Sequence, residues 1–255
     1  MLVFEMTGTL QDLDVETSLL WEEGCLGLEE GKGTVRAYFQ APVELPLQGN
    51  WSETDDTDWV EKWKADLKPV RIGRFTIVPS WLKSDEFSTT TLVIDPGMAF
   101  GTGHHVTTQL AIDMLQGLDL QGKKVLDVGA GTGLLALVSA RCGADAWGVD
   151  LDPLTVPIAR QNALDNHVDA HFYEGTLQDM FDHKPFDVLV CNLYAELHVL
   201  LAHDYAEFLC AGGTLILTGI LSERFAPVRE ALIEQGFQLS VVRESGEWLV
   251  CTASR

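Results

Sequence analysis

The chain has 255 residues, 46% of them apolar, a length that suits one large or two unequal domains around a substantial core. Its 17 Lys and Arg stand against 38 Asp and Glu, a formal charge of −21 at pH 7. Such a surface repels a phosphate backbone, which argues against direct nucleic-acid binding and suits a basic protein partner, although a charge run is more often a solvated face.

Residues 1 to 61 hold fourteen acids and two bases, Lys32 and Arg36, a net −12 on under a quarter of the chain. The pattern predicts a strand over 2–6, a helix over 12–23, and strands over 25–30 and 34–39. Gly31-Lys32-Gly33 supplies a hairpin turn between the last two. A β-α-β-β unit buries one sheet face under one helix, a small α+β domain. Pro42 and Pro46 then break regular structure. Asp55, Asp56 and Asp58 favour the positive end of a helix over 59–67, which is stopped before Pro69. Trp59 and Trp63 share a face of that helix, which reads as a connector. The expected division is 1–57 as a small acidic α+β domain, 58–69 as the connector helix, and 70–255 as the main domain.

From about residue 90 strands alternate with helices: strands over 124–128, 145–150, 170–174, 186–191 and 214–218, and helices over 133–142, 153–166, 196–209 and 222–235. Continuous apolar runs such as VLDVG and FDVLV are those of strands buried on both faces. The order implies α/β architecture, a doubly wound Rossmann-like parallel sheet with ligand at the carboxyl ends of its strands. The two last strands, 237–242 and 247–252, are joined too tightly for a parallel crossover, so they close the sheet as an antiparallel hairpin. Five scattered cysteines without a C-x-x-C pair fit a reduced compartment. The first residues lack a signal peptide's basic flank, and no apolar run approaches a membrane span. The expectation is a cytoplasmic chain, monomeric by default.

The most specific stretch is Val125-Leu126-Asp127-Val128-Gly129-Ala130-Gly131-Thr132-Gly133, a strand turning through three glycines into a helix. Glycines permit the tight turn and a ligand's close approach. Asp150, twenty-one residues beyond Gly129 at the tip of the next strand, can accept both hydroxyls of a ribose. Asp152 competes for that role, but Asp152-Pro153 reads as the cap of the following helix. The third glycine falls one residue early for a dinucleotide fingerprint, which disfavours an NAD-dependent oxidoreductase. No Gly-Lys-Ser/Thr follows for a Walker loop. Asp127 opposes a pyrophosphate and could balance an amino group and a sulfonium.

The D-x-G-x-G-x-G loop with its acid resembles the S-adenosylmethionine site of the seven-stranded methyltransferases, and the closing hairpin resembles that fold's reversed last strand. Such enzymes often place an acid near the adenine after the third strand, where this chain has Thr176 and Leu177. The segment 95–108 (DPGMAFGTGHHVTT) is a glycine-rich loop shaped for a ligand and opening a helix at Thr107 and Thr108. Adjacent His104 and His105 diverge, and no His-Glu-x-x-His is present, so no metal is expected. Asn192-Leu193-Tyr194-Ala195 resembles the Asn-Pro-Pro-Tyr turn of amino-group methyltransferases, without its prolines.

Together the motifs P-G-x-A-F-G-T-G-x-H-x-T-T, V-L-D-x-G-x-G-x-G, G-V-D-x-D-P and N-L-Y-A closely resemble the ribosomal protein L11 methyltransferases, the PrmA family, over the whole chain. That resemblance implies a small N-terminal substrate-recognition domain and cofactor contacts at Thr108, Gly129, Asp150 and Asn192. Thr107, Gly131 and Gly133 complete the candidate set. It also implies N-methylation of lysine side chains and the N-terminal amine of a ribosomal protein, using S-adenosylmethionine. The attacking amine must be neutral, and deprotonating an exposed lysine at pH 7 costs about 4–5 kcal/mol. Desolvation and a cationic cofactor lower that cost, and a carboxylate beside the amine raises it. Asn192, with neutral Tyr194 nearby, is the candidate catalytic residue, orienting the amine. A methyltransferase of another protein, RNA or small molecule, or a non-enzymatic ribosome-assembly factor, are the alternatives.

Overall fold

A computed structural model describes the chain apart from residues 1, 11, 26, 40, 54–67, 84–87 and 96–98. The acidic cap at 55–58, the expected connector helix and its tryptophan pair lie outside the described residues. The chain divides into two compact units, Met1–Pro69 with Asp95–Phe100, and Val70–Ile94 with Gly101–Arg255.

In the first unit, strands β1 (Leu2–Thr7), β2 (Gly27–Glu30), β3 (Thr34–Phe39) and β4 (Asn50–Glu53) form one sheet in the order β2-β3-β1-β4. Helix α1 (Asp14–Glu22) supplies Leu20 to the core made by Phe4, Met6, Val35, Ala37 and Phe39. Residues 35, 37 and 39 alternate inward with the strand period of two. Two expectations need correction. The second strand begins at Gly27 rather than residue 25, because Cys25 is fully buried and turns its thiol to the Gly27 carbonyl at 3.0 Å. The sheet also has a fourth strand, because β4 adds to the free edge of β1. It gives no periodic signal, since all four of its residues are exposed, and it is tied down by Trp51, whose ring lies 5.0 Å from Phe4 and 5.2 Å from Phe39. Arg36 pairs with Glu5 at 2.6 Å and Glu29 at 3.7 Å, so one of the region's two bases is already matched.

The second unit starts with a small sheet absent from the sequence reading: β5 (Val70–Ile72), β6 (Phe75–Val78) and β7 (Thr91–Val93). Its strands have three or four residues, too few for periodicity to register. Helix α2 (Val106–Gln116) follows. Then come β8 (Lys124–Val128), α3 (Leu134–Arg141), β9 (Asp145–Asp150), α4 (Thr155–Asp165), β10 (His171–Glu174), a 3₁₀ segment (Leu177–His183) and β11 (Phe186–Asn192). Helix α5 (Ala195–Phe208), β12 (Leu209–Leu221), α6 (Phe225–Glu234), β13 (Gln238–Ser245) and β14 (Trp248–Ser254) complete the chain. The seven-stranded order β10-β9-β8-β11-β12-β14-β13 is a Rossmann-like doubly wound sheet in which β14 runs antiparallel between β12 and β13. The hairpin turn is tighter than expected, because pairing continues to Ser245–Trp248 and Gly246 takes φ 62°.

Alternation divides the sheet's side chains between two cores. Val125, Val188, Val190 and Ile216 face α2, α3 and α4, whereas Leu126, Leu189, Cys191 and Leu217 face α5 and α6. Asn166, fully buried after α4, takes the place of a missing strand at the edge of β7. Its side chain accepts from the Val93 N–H and donates to the Val93 carbonyl, both at 2.7 Å.

Among the described residues, Asp127 is the one buried acid of this interior. It is 1% exposed, its Oδ2 accepts from the Ala136 N–H at 3.2 Å, and its Oδ1 has no partner among the described residues. Burial pushes its pKa up to about 8; the Ala136 N–H opposes this and the nearby Asp150 adds to it. Folding therefore takes up a proton at neutral pH, and the stability of the protonated form is lost as pH rises toward 8. Asp127→Asn cannot ionise, so its stability relative to the parent should rise by roughly 1–3 kcal/mol between pH 6 and pH 8, read from urea midpoints. A stability difference independent of pH would show instead that Asp127 is ionised throughout.

Candidate active site

The parallel register sets the site. Val149 pairs with Val128, and Val128 pairs with Cys191, so the ends of β9, β8 and β11 stand in one row. The next residue of each strand is Asp150, Gly129 and Asn192. With neighbouring strands about 4.8 Å apart, this second row spans about 10 Å from acid to amide at the carboxyl edge of the sheet.

Gly129 and Ala130 both donate to the Val149 carbonyl, at 2.9 and 3.1 Å, which turns the chain sharply off β8. The Gly131 N–H then reaches Asp150 Oδ2 at 2.7 Å. The other carboxylate oxygen accepts from the Asp152 N–H at 3.0 Å. Each oxygen of an ionised carboxylate has two lone pairs, so Asp150 retains acceptor capacity on both. Asp152 is committed to its own turn, accepting from the Leu154 N–H at 2.8 Å before α4.

The three loop glycines have different tasks. Gly129 and Gly131 take φ 74° and 51°, and a Cβ at Gly129 would come 2.6 Å from Leu193 Cδ2, so the loop and the Asn192 turn touch there. Gly133, at φ 80°, is buried against Phe172 and Ala159, where a Cβ would stand 2.7 Å from the Phe172 ring. Of the three, Gly133 is the one that closes helix against strand.

The second glycine loop reaches the first. Thr132 Oγ1 donates to the Gly101 carbonyl at 2.6 Å. His105 caps α2, its Nδ1 accepting from the Thr107 N–H at 3.3 Å and lying 2.7 Å from the Thr107 hydroxyl. Thr107 is thus occupied at the helix start. Thr108, 1% exposed, accepts from Asn192 Nδ2 at 3.4 Å. This contact joins residues 84 positions apart and brings the two loops and the Asn192 turn together. His104 faces Thr102 at 3.3 Å, and no group of three potential metal ligands occurs among the described residues.

Beyond Asn192, the Leu193 N–H donates to the Thr218 carbonyl at 3.1 Å, and Tyr194 is 43% exposed. Gly219, at φ 81°, has no room for a side chain: a Cβ would lie 2.5 Å from the Leu193 oxygen and 2.9 Å from Asn192 Oδ1. Gly219 is a site residue that sequence reasoning missed; a glycine directly after the Ile216-Leu217-Thr218 strand was its only signal. On the far side of Asp150, Asp179 supplies an acid after β10, but its carboxylate turns back to accept from the Thr176 N–H at 2.7 Å and hydroxyl at 2.8 Å. Those bonds hold its pKa below the ordinary value. Leu151 and Leu154, 72% and 60% exposed, are the apolar surfaces next to the Asp150 edge.

Comparison with known proteins identifies the family. A family model described as Ribosomal protein L11 methyltransferase (PrmA) matches residues 31–255. The chain is 47% identical over 272 aligned residues to the ribosomal protein L11 methyltransferase of Deinococcus radiodurans, covering 100% of this chain and 99% of that one. It is 46% identical to that of Thermus thermophilus, with all of both chains covered. Among solved structures, the ribosomal protein L11 methylase of Lactobacillus delbrueckii subsp. bulgaricus superposes with a TM-score of 0.67 at 28% identity, over 74% of this chain and 98% of that one. The chain belongs to the ribosomal protein L11 methyltransferase (PrmA) family.

Proposed function

We propose that the protein is a methyltransferase that uses S-adenosylmethionine to methylate lysine side-chain amines and the N-terminal amine of ribosomal protein L11. The observation that carries this reading is the row Asp150–Gly129–Asn192, a carboxylate with spare lone pairs, a glycine turn and a neutral amide aligned across three strand ends. Family membership and the two full-length relatives support it. The residues present fit the cofactor. Asp150 has lone pairs for ribose hydroxyls, and neither glycine loop carries a Lys or Arg for a pyrophosphate. Asp127, protonated at neutral pH, adds no negative charge beside the loop, so the Asp150 carboxylate is the acidic group offered to the ligand. When bound, the cofactor supplies a methyl group activated by a sulfonium.

The chain's own residues hold and orient the amine. Asn192 directs its Nδ2 to Thr108, and its Oδ1 is the acceptor that holds an amine N–H and aims the nitrogen lone pair. Leu193 and Tyr194 border the position with neutral surface, so the amine loses water without gaining a carboxylate that would keep it protonated. Gly131 and Gly133 shape the loop, Thr107 supports Thr108 from the helix cap, and no residue is assigned as a general base. Incubating undermethylated ribosomal protein L11 with methyl-labelled cofactor should add label to amines, located by mass mapping. Asn192→Ala should lower kcat by about 10²-fold with cofactor affinity changed less than about threefold. Absence of transfer refutes the function, and equal losses of kcat and affinity reassign Asn192 to cofactor binding.

In the same reading, the acidic domain over 1–57, joined through 58–69 to the catalytic domain over 70–255, docks the basic substrate. Glu23, Glu30, Glu44 and Glu53 are exposed in this domain. Exposed charges contribute about 0.3 kcal/mol each, so converting all four to Gln should raise KM for the protein substrate roughly tenfold. KM for the cofactor should not move, and the effect should shrink in high salt. An unchanged KM for the ribosomal protein would rule out electrostatic docking through this face.

A further inference from the structure

His198 is the one fully buried histidine among the described residues, and it lies one helical turn past the Asn192 turn on α5. Its Nε2 is 2.9 Å from the Thr218 carbonyl, and the Leu193 carbonyl also faces the ring. A carbonyl can only accept, so Nε2 carries the hydrogen. Nδ1, 3.1 Å from the Tyr205 hydroxyl, is therefore the acceptor. The Tyr205 hydroxyl, whose one proton goes to Nδ1, also interacts with the Cys191 thiol.

These contacts close a circuit around one residue. It leaves the sheet at Cys191, runs through Tyr205 and His198, and returns at Thr218, the residue paired with Asn192 across β11 and β12. The same Thr218 carbonyl receives the Leu193 N–H at 3.1 Å. Asn192 is thus held from both sides, by Cys191 before it and Leu193 after it, while Gly219 leaves no slack beneath. Burial pulls the His198 pKa down to about 4, so the ring stays neutral beside a centre that must accept a neutral amine.

We infer that His198 is a positioning residue for methyl transfer, fixing the Asn192 turn through the Thr218 carbonyl without touching substrate or cofactor. The inference rests on the reading of Asn192 given above. The test measures kcat, KM and cofactor affinity for His198→Leu, His198→Gln and Tyr205→Phe, each alone and combined with Asn192→Ala. Loss of the ring donor should lower kcat roughly 10- to 100-fold at unchanged cofactor affinity. Gln places an amide donor where Nε2 stood and should keep kcat within about threefold of the parent. Tyr205→Phe leaves Nδ1 without its donor and should lower kcat by several-fold. Should His198→Leu fail to fold, the contrast between His198→Gln and Tyr205→Phe decides. In the Asn192→Ala background each substitution should have little further effect, which a merely stabilising role would not produce. Full kcat in both His198→Leu and Tyr205→Phe, or additive losses with Asn192→Ala, would overturn the inference. Full kcat in Asn192→Ala alone would overturn the underlying reading instead.

Discussion

The register of three parallel strands is the constraint on which the site depends. Because Val149, Val128 and Cys191 share a ladder row, the residues that leave the sheet together are an acid, a glycine and an amide. A slip of one residue in any of the three would turn its side chain to the other face. That register is secured far below the site by filling both faces of the sheet, with Val125, Val188 and Val190 in one core and Leu126, Leu189 and Cys191 in the other. Burial of the strands thus sets the spacing of the chemistry.

Above that row, close backbone approach replaces side-chain bulk. Gly129 admits Leu193, Gly219 admits the Leu193 carbonyl, and Gly101 receives the Thr132 hydroxyl through its own carbonyl. The loops are thereby tied to each other before any ligand arrives, which lowers the cost of ordering them on binding. The turn at Asn192 obtains its rigidity differently from an Asn-Pro-Pro-Tyr turn, whose prolines fix φ directly. Here hydrogen bonds to Thr218 and Thr108 perform that task. Charge is divided along the same lines, with acids dense in the first 61 residues and neutral groups at the turn.

The parts of the fold visible in the sequence were those with long, one-sided signals. Strands at 124–128 and 145–150 coincide with expectation, since continuous apolar runs bounded by glycine or acid have few other meanings. The place of the glycine loop between strand and helix, and of Asp150 at the end of the next strand, was legible through spacing alone. Strands β4 to β7 were not, because three or four residues cannot show a period. Asn166 and His198 were hidden for another reason. Each makes its decisive bond to a backbone carbonyl distant in sequence, and a carbonyl has no letter. Asp179 was equally unreadable: its presence near the third strand is plain, but its engagement with Thr176 depends on a local turn.

Direct titration of the cofactor tests the account most sharply. Calorimetry on the full chain should show uptake of S-adenosylmethionine at one site, no uptake of NADH, and a roughly 10- to 100-fold loss of affinity in Asp150→Asn, the weakening expected when a charge-assisted acceptor becomes neutral. Equal binding of NADH, or no heat from S-adenosylmethionine, would contradict the reading of the Asp150–Gly129–Asn192 row.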